Sequence, residues 1–187
     1  GFNTEANGKA SLAAGVRCVA NGPNSIALGG VPPFAASRTV AQGRASLSIG
    51  SETKALGDYS IAMGDSTLAD SVYAMAIGKN TVASGYSSLA MGYHTDASGD
   101  YATALGNRTN ASGKYSMAVG HSSSTLGNAA LALGRESYAN GDYSMAIGYQ
   151  ATTATTGVGS MALGINAQAT GKSSLSFGEL VYATNEY

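Results

Sequence analysis

Few residues in this sequence carry reactive chemistry, and their spacing decides what that chemistry can be. His94 and His121 are the two histidines and Cys18 is the single thiol. Imidazoles serve as general bases or metal ligands near neutral pH, but catalysis needs several groups converging on one place, and a metal needs several ligands. His94 stands two residues after Gly92, whereas His121 follows Gly120 directly. They occupy different places in a repeat set by those glycines, and both read as solvated surface residues. Cys18 stands four residues before Gly22, a place held by Thr in Thr53 before Gly57 and Thr95 before Gly99. It reads as a small buried residue, and one cysteine leaves the redox compartment open. Asn107-Arg108-Thr109 and Asn110-Ala111-Ser112 satisfy the glycosylation sequon, yet such matches arise by chance and these read as ordinary polar strand positions. No enzyme activity, metal or cofactor is expected.

The composition narrows the partners. The chain has 187 residues, with 26 Gly, 3 Pro, no Trp, 11% charged residues and a formal net charge of -1. That length suits one domain or one continuous array. So weak and balanced a charge provides no field for gripping phosphate backbones, which excludes nucleic acid as the expected partner. No apolar run approaches the ~18 residues of a membrane span, so direct insertion is not expected.

The glycines are ordered. Twelve of them, from Gly15 to Gly178, recur every 14 residues, except for gaps of 21 between Gly29 and Gly50 and 16 between Gly148 and Gly164. Eleven more stand seven residues before a member of that series, and Ser71 holds the one remaining place. Each unit is thus two heptads of the form [S/T]-x-A-x-G-x-x. One is apolar at the x positions before glycine, as in Ser60-Ile61-Ala62-Met63-Gly64; the other is mostly polar there, as in Thr95-Asp96-Ala97-Ser98-Gly99. A coiled coil would carry all these glycines at about 1 kcal/mol each, and its apolar positions would not lie two apart. Collagen needs glycine at every third residue, and calcium-binding β-helices need a G-G-x-G-x-D motif. The expectation is an all-β parallel solenoid of about twelve 14-residue coils, two short strands per coil, with tight turns at glycine.

Alternate strand residues face opposite ways. A coil of two strands and two turns is flat, so Ser, Thr, Ala and Gly belong inside and the large apolar residues outside. The outer place next to glycine holds Leu28, Ile49, Met63, Ile77, Met91, Leu105, Val119, Leu133, Ile147 and Leu163, besides Ala14 and Phe177. With the column two residues earlier, 23 of 24 outer places are apolar and all six methionines fall among them. A soluble monomer does not leave so large a patch in water. Identical copies around a common axis cover it most simply, with these residues as the core of the assembly.

Two further features carry candidate contacts. The segment from about residue 30 to 38 breaks the spacing and contains Pro32, Pro33 and Phe34. Proline cannot donate to a ladder, so a loop is expected there, either packed back on the assembly or binding a partner. Tyr59, Tyr73, Tyr101, Tyr115 and Tyr143 share one repeat position, and the residue before is charged at Asp58, Asp100, Lys114 and Asp142. Stacked coils place Tyr59 beside Tyr73, Tyr101 beside Tyr115, and Asp100 near Lys114. The rings either seal a groove between neighbouring chains or form a ladder of amphipathic anchors.

Asn24-Ser25-Ile26-Ala27-Leu28-Gly29, Tyr59-Ser60-Ile61-Ala62-Met63-Gly64 and Tyr115-Ser116-Met117-Ala118-Val119-Gly120-His121-Ser122-Ser123 resemble the S-V-A-I-G-x-x-S repeat of YadA-like heads in trimeric autotransporter adhesins. The resemblance covers about residues 6 to 178 of a chain read as one head domain, with 179–187 as a non-repeat tail. It implies a left-handed β-roll, a homotrimer, and display at the bacterial surface through stalk and outer-membrane anchor segments lying outside this chain. It also implies attachment to host matrix proteins, host receptors or other cells. The alternative is a structural spacer without its own ligand. The aligned Thr53, Thr67, Thr81, Thr95 and Thr109 raise a third class, ice binding, but strand parity turns them inward. Hexapeptide acyltransferases, the nearest enzymes in shape, do not fit the 14-residue period.

Overall fold

The computed structural model describes residues 1–30 and 37–184. The chain is an all-β parallel β-solenoid of about twelve coils of about 14 residues, with no helix among the described residues. Each full coil holds one long strand and one short one, and the chain divides into two compact units, Gly1–His94 and Thr95–Tyr187.

In the first unit the long strands are Leu12–Val16, Ile26–Gly30, Leu47–Ser51, Ile61–Asp65, Met75–Lys79 and Leu89–Tyr93, each parallel to the next. Short strands from Glu5–Ala6 to Val82–Ala83 form a second parallel ladder. The second unit repeats the plan, with long strands from Thr103–Asn107 to Leu175–Glu179 and short strands from Asp96–Ala97 to Tyr182–Ala183. Register is one repeat per coil: Ile77 lies beside Met63 and Met91, and Val119 beside Leu105 and Leu133.

The interior follows from this alternation. Ser60, Ala62, Thr67 and Ala69 from one circuit of the roll are all buried, and the largest fully buried side chains are threonines and Cys18. The roll is too flat to admit anything larger, so leucine, isoleucine and methionine stand on the outer face of the long strands. Interior hydroxyls are satisfied unevenly. The Ser48 and Thr53 hydroxyls lie 2.7 Å apart and Thr125 donates to Ser116 at 2.8 Å, whereas those of Ser25, Thr67, Thr81 and Thr109 have no hydrogen-bond partner.

Glycine is required by the approach of coil to coil more than by the turns themselves. A Cβ on Gly57 would collide with the carbonyl of Ser71, and one on Gly64 with the carbonyl of Gly78. Gly64 also has φ +125° inside its strand. The left-handed turn residues are mostly not glycine: Tyr59 has φ 58° and Ser66 has φ 53°. Each is held by the coil before it, the Tyr59 N–H donating to the Arg44 carbonyl and that of Ser66 to the Ser51 carbonyl, both at 2.8 Å.

The ladders continue in two places where the glycine repeat breaks off. Gly30 still belongs to its strand, pairing with Val16, and past Glu179 the short strand Tyr182–Ala183 pairs with Gln168–Ala169. The two extra residues between Gly148 and Gly164 widen the turn at Ala154–Gly157, where Gly157 N–H donates to the Ala154 carbonyl at 2.9 Å.

Candidate functional site

Three surfaces of the coils carry side chains that a partner would meet: the outer face of the long strands and the two turn edges beside it.

On the outer face, Leu28, Ile49, Met63, Ile77 and Met91 form one column in the first unit. Leu105, Val119, Leu133, Ile147 and Leu163 form the corresponding column in the second. Neighbours one coil away cover part of each side chain, so most are half-buried, while Met91 is 41% exposed and Leu133 40%. The final long strand presents Leu175 and Phe177, the latter 74% exposed.

The turn entering each long strand carries the tyrosines. Tyr59 and Tyr73 stack with ring centroids 5.3 Å apart and planes 13° from parallel, and Tyr86 meets Tyr73 edge-on at 5.9 Å. In the second unit Tyr101 and Tyr115 stack at 5.0 Å. Lys114 Nζ lies 3.9 Å from Asp100 Oδ2 and 5.3 Å from the Tyr115 ring centroid. Tyr143 is the most exposed of the five, at 71%. All five are left-handed residues at the turn, and where two fall in successive coils their rings stack.

The acidic residues of this edge act within it. Asp58 accepts the Arg44 backbone N–H at 2.8 Å, and Asp142 accepts that of Asn128 at 2.7 Å. Each aspartate thus ties its turn to the preceding one, leaving the rings as the outward chemistry.

The opposite edge, where the chain leaves the long strand, carries charge. In the first unit Lys79 pairs with Asp65 at 3.2 Å, and Asn80 Nδ2 lies 3.4 Å from His94 Nε2. In the second unit Arg135 lies over the Tyr149 ring at 5.4 Å and donates through Nε to Glu136 at 3.2 Å. Gln150 donates to the other Glu136 oxygen at 2.8 Å. These hydrogen bonds, that of Gln150 first, hold the Glu136 carboxyl below the usual carboxylate range. Motif reading passed over this cluster, although one position signals it: the residue directly after the long-strand glycine is His121, Arg135 and Tyr149 in successive coils.

His94 belongs to the first unit and His121 to the second. Among the described residues no group of three or more His, Cys, Asp or Glu is placed to hold a metal ion. Cys18 is buried, and burial raises its thiol pKa, away from nucleophilic character. Pro32, Pro33 and Phe34 lie outside the described residues; Arg38, the last residue before the next short strand, donates to Glu5 at 2.9 Å. No helix among the described residues is long and apolar enough to cross a membrane.

No curated protein matches the chain. Residues 2–30, 41–67, 69–95, 97–123, 126–151 and 156–178 match the family described as the YadA head domain repeat, whose profile spans two copies. With coils matched in both units and through nearly the whole length, the chain belongs to the YadA head repeat family.

Proposed function

We propose that this chain is the non-catalytic adhesive head of a bacterial surface fibre. In this reading three copies pack side by side, are carried above the outer membrane by stalk and anchor segments outside this chain, and attach to host matrix or cell-surface proteins. The observation that carries the reading is the outer face of the long strands. Its apolar columns run through both units, and the flat interior has no room for them. Three such faces turned toward one axis bury every column against its equivalents, and the core of the trimer is then Leu28, Ile49, Met63, Ile77, Met91, Leu105, Val119, Leu133, Ile147 and Leu163.

Assembly leaves turn edges and short-strand faces outward. Tyr59, Tyr73, Tyr101, Tyr115 and Tyr143 are the proposed contact residues, since tyrosine offers a large rigid face and a polar tip at low entropic cost. Three equivalent edges favour many weak contacts combined by avidity. The Pro32-Pro33-Phe34 segment is the second candidate contact.

Two experiments test this. Sedimentation at micromolar concentration is expected to give a trimer, and a stable, monodisperse monomer refutes the assembly. Ile77→Asp with Met91→Asp is expected to dissociate or unfold it, because carboxylates would be desolvated near the axis. A panel of matrix proteins and receptors is expected to yield a ligand whose binding falls when Tyr59, Tyr101, Tyr115 and Tyr143 are changed together to Ser with the trimer intact. Silence across the panel favours a spacer role.

A further inference from the structure

We infer that the Arg135 cluster is a small binding site for a carboxylated sugar. The guanidinium is pinned from two directions, by the Tyr149 ring at 5.4 Å and by Glu136, which accepts from Nε at 3.2 Å. With Nε engaged, the end-on edge of the fork remains: two coplanar N–H groups that match the two coplanar oxygens of a carboxylate. The Arg135 side chain is 62% exposed, so this edge meets solvent.

Glu136 would ordinarily repel an anion. Here one oxygen accepts from Arg135 Nε and the other from Gln150 at 2.8 Å, so the carboxylate is held on the Nε side of the guanidinium, which balances its charge. Strand register places His121 directly beside Arg135 on one side and Tyr149 on the other, with Asn107 one coil beyond His121. A sugar acid seated on Arg135 therefore has an imidazole and a phenol in the two flanking coils, groups suited to its hydroxyls. The corresponding cation of the first unit differs: Lys79, like Arg135, has an acidic partner at 3.2 Å, but as a point charge it has no fork to offer. The site is one guanidinium wide, which suits a single acidic group and not a polyanion.

The inference does not depend on the tyrosine edge, and its test reads a different residue. The probes are methyl glucuronide, its neutral counterpart methyl glucoside, methyl glucoside 6-sulfate, and acetate, titrated into the whole chain and followed by ligand-observed NMR. Methyl glucuronide is expected to bind in the millimolar range and the neutral sugar at least about tenfold more weakly. Arg135→Gln should weaken the glucuronide about tenfold, Arg135→Lys should rescue it only in part, and Gln150→Ala, which removes the brace on Glu136, should weaken it with an unchanged circular dichroism spectrum. Equal binding of acid and neutral sugars, tighter binding of the sulfate, or acetate binding as tightly as the glucuronide overturns the assignment. So does Arg135→Gln binding unchanged. A change in sedimentation of Arg135→Gln also overturns it, because the guanidinium would then be a contact between copies.

Discussion

Tyr101 and Tyr115 hold the same place in successive coils, and their rings lie parallel to within 9° at a centroid distance of 5.0 Å. The spacing is that of the strands beneath them, about 4.8 Å, so the backbone ladder itself sets the ring separation. Offset stacking of aromatic pairs contributes about 0.5–1.5 kcal/mol beyond area burial. Tyr101→Ser, Tyr115→Ser and the double variant, compared by chemical unfolding, are expected to give a coupling energy in that range. Additive single effects would show that the rings merely coexist.

The glycines separate two kinds of constraint. At Gly64 a Cβ meets the Gly78 carbonyl and φ is +125°, so Gly64→Ala is expected to cost at least about 3 kcal/mol. Gly159 has φ +66°, and its nearest neighbour to a Cβ is Ser173 Oγ at 3.7 Å. Gly159→Ala should then cost only the left-handed penalty, about 1 kcal/mol. Thermal denaturation of the two variants distinguishes them.

Parity was the most legible feature of the sequence. Ser60, Ile61, Ala62, Met63 alternate small and large, and in a two-walled coil only the small set fits inside; the stacking of Tyr59 on Tyr73 then follows from period alone. What periodicity does not carry is backbone sign and side-chain reach. Tyr59 in a left-handed turn is unexpected for a bulky residue, and it is stabilised by an N–H bond to the preceding coil that no local propensity encodes. The Arg135–Glu136–Gln150 cluster depends on rotamers across a turn, and Tyr182–Ala183 joins a ladder by hydrogen bonding its backbone, with no repeat glycine to mark it.

Interior threonines should respond in opposite directions to one substitution. Thr53 shares a 2.7 Å hydrogen bond with Ser48, while the Thr81 hydroxyl is buried without a partner. Thr81→Val is expected to be neutral or to stabilise by about 1 kcal/mol, and Thr53→Val to destabilise by about the same amount, since it removes the hydroxyl–hydroxyl bond and leaves Ser48 only its bond to the Thr53 carbonyl at 2.9 Å. Urea midpoints measured side by side check the contrast.

Asp96 supplies a pH test. Burial raises its carboxyl pKa, only partly opposed by a hydrogen bond from Ser98, and Oδ1 has no partner. The native state therefore holds the Asp96 proton more tightly than the unfolded chain does. Its stabilising contribution is present in acid and lost as pH rises through the raised pKa. Asp96→Asn, which lies beside Asn110 in the ladder, is expected to raise the melting temperature at pH 7 by about 2 °C. The gain should vanish below the ordinary carboxylate range. A gain that persists there would trace to amide hydrogen bonding, not to charge.

The one-coil register has a kinetic side. Where ladder partners lie one repeat apart in sequence, as Ile77 and Met91 do, the chain closes only short loops as it folds. Dividing that separation by the chain length gives a relative contact order of roughly 0.07, in the range of fast-folding helical bundles, unlike most all-β proteins. Growth then proceeds by zippering from whichever coil nucleates first. Near-identical coils also invite a slip of one full turn, in which one coil loops out and its two neighbours pair with each other. The break after Gly29 and the widened turn at Ala154–Gly157 are the irregularities that make such a slipped ladder mismatch, so they act as registration marks during assembly of the roll.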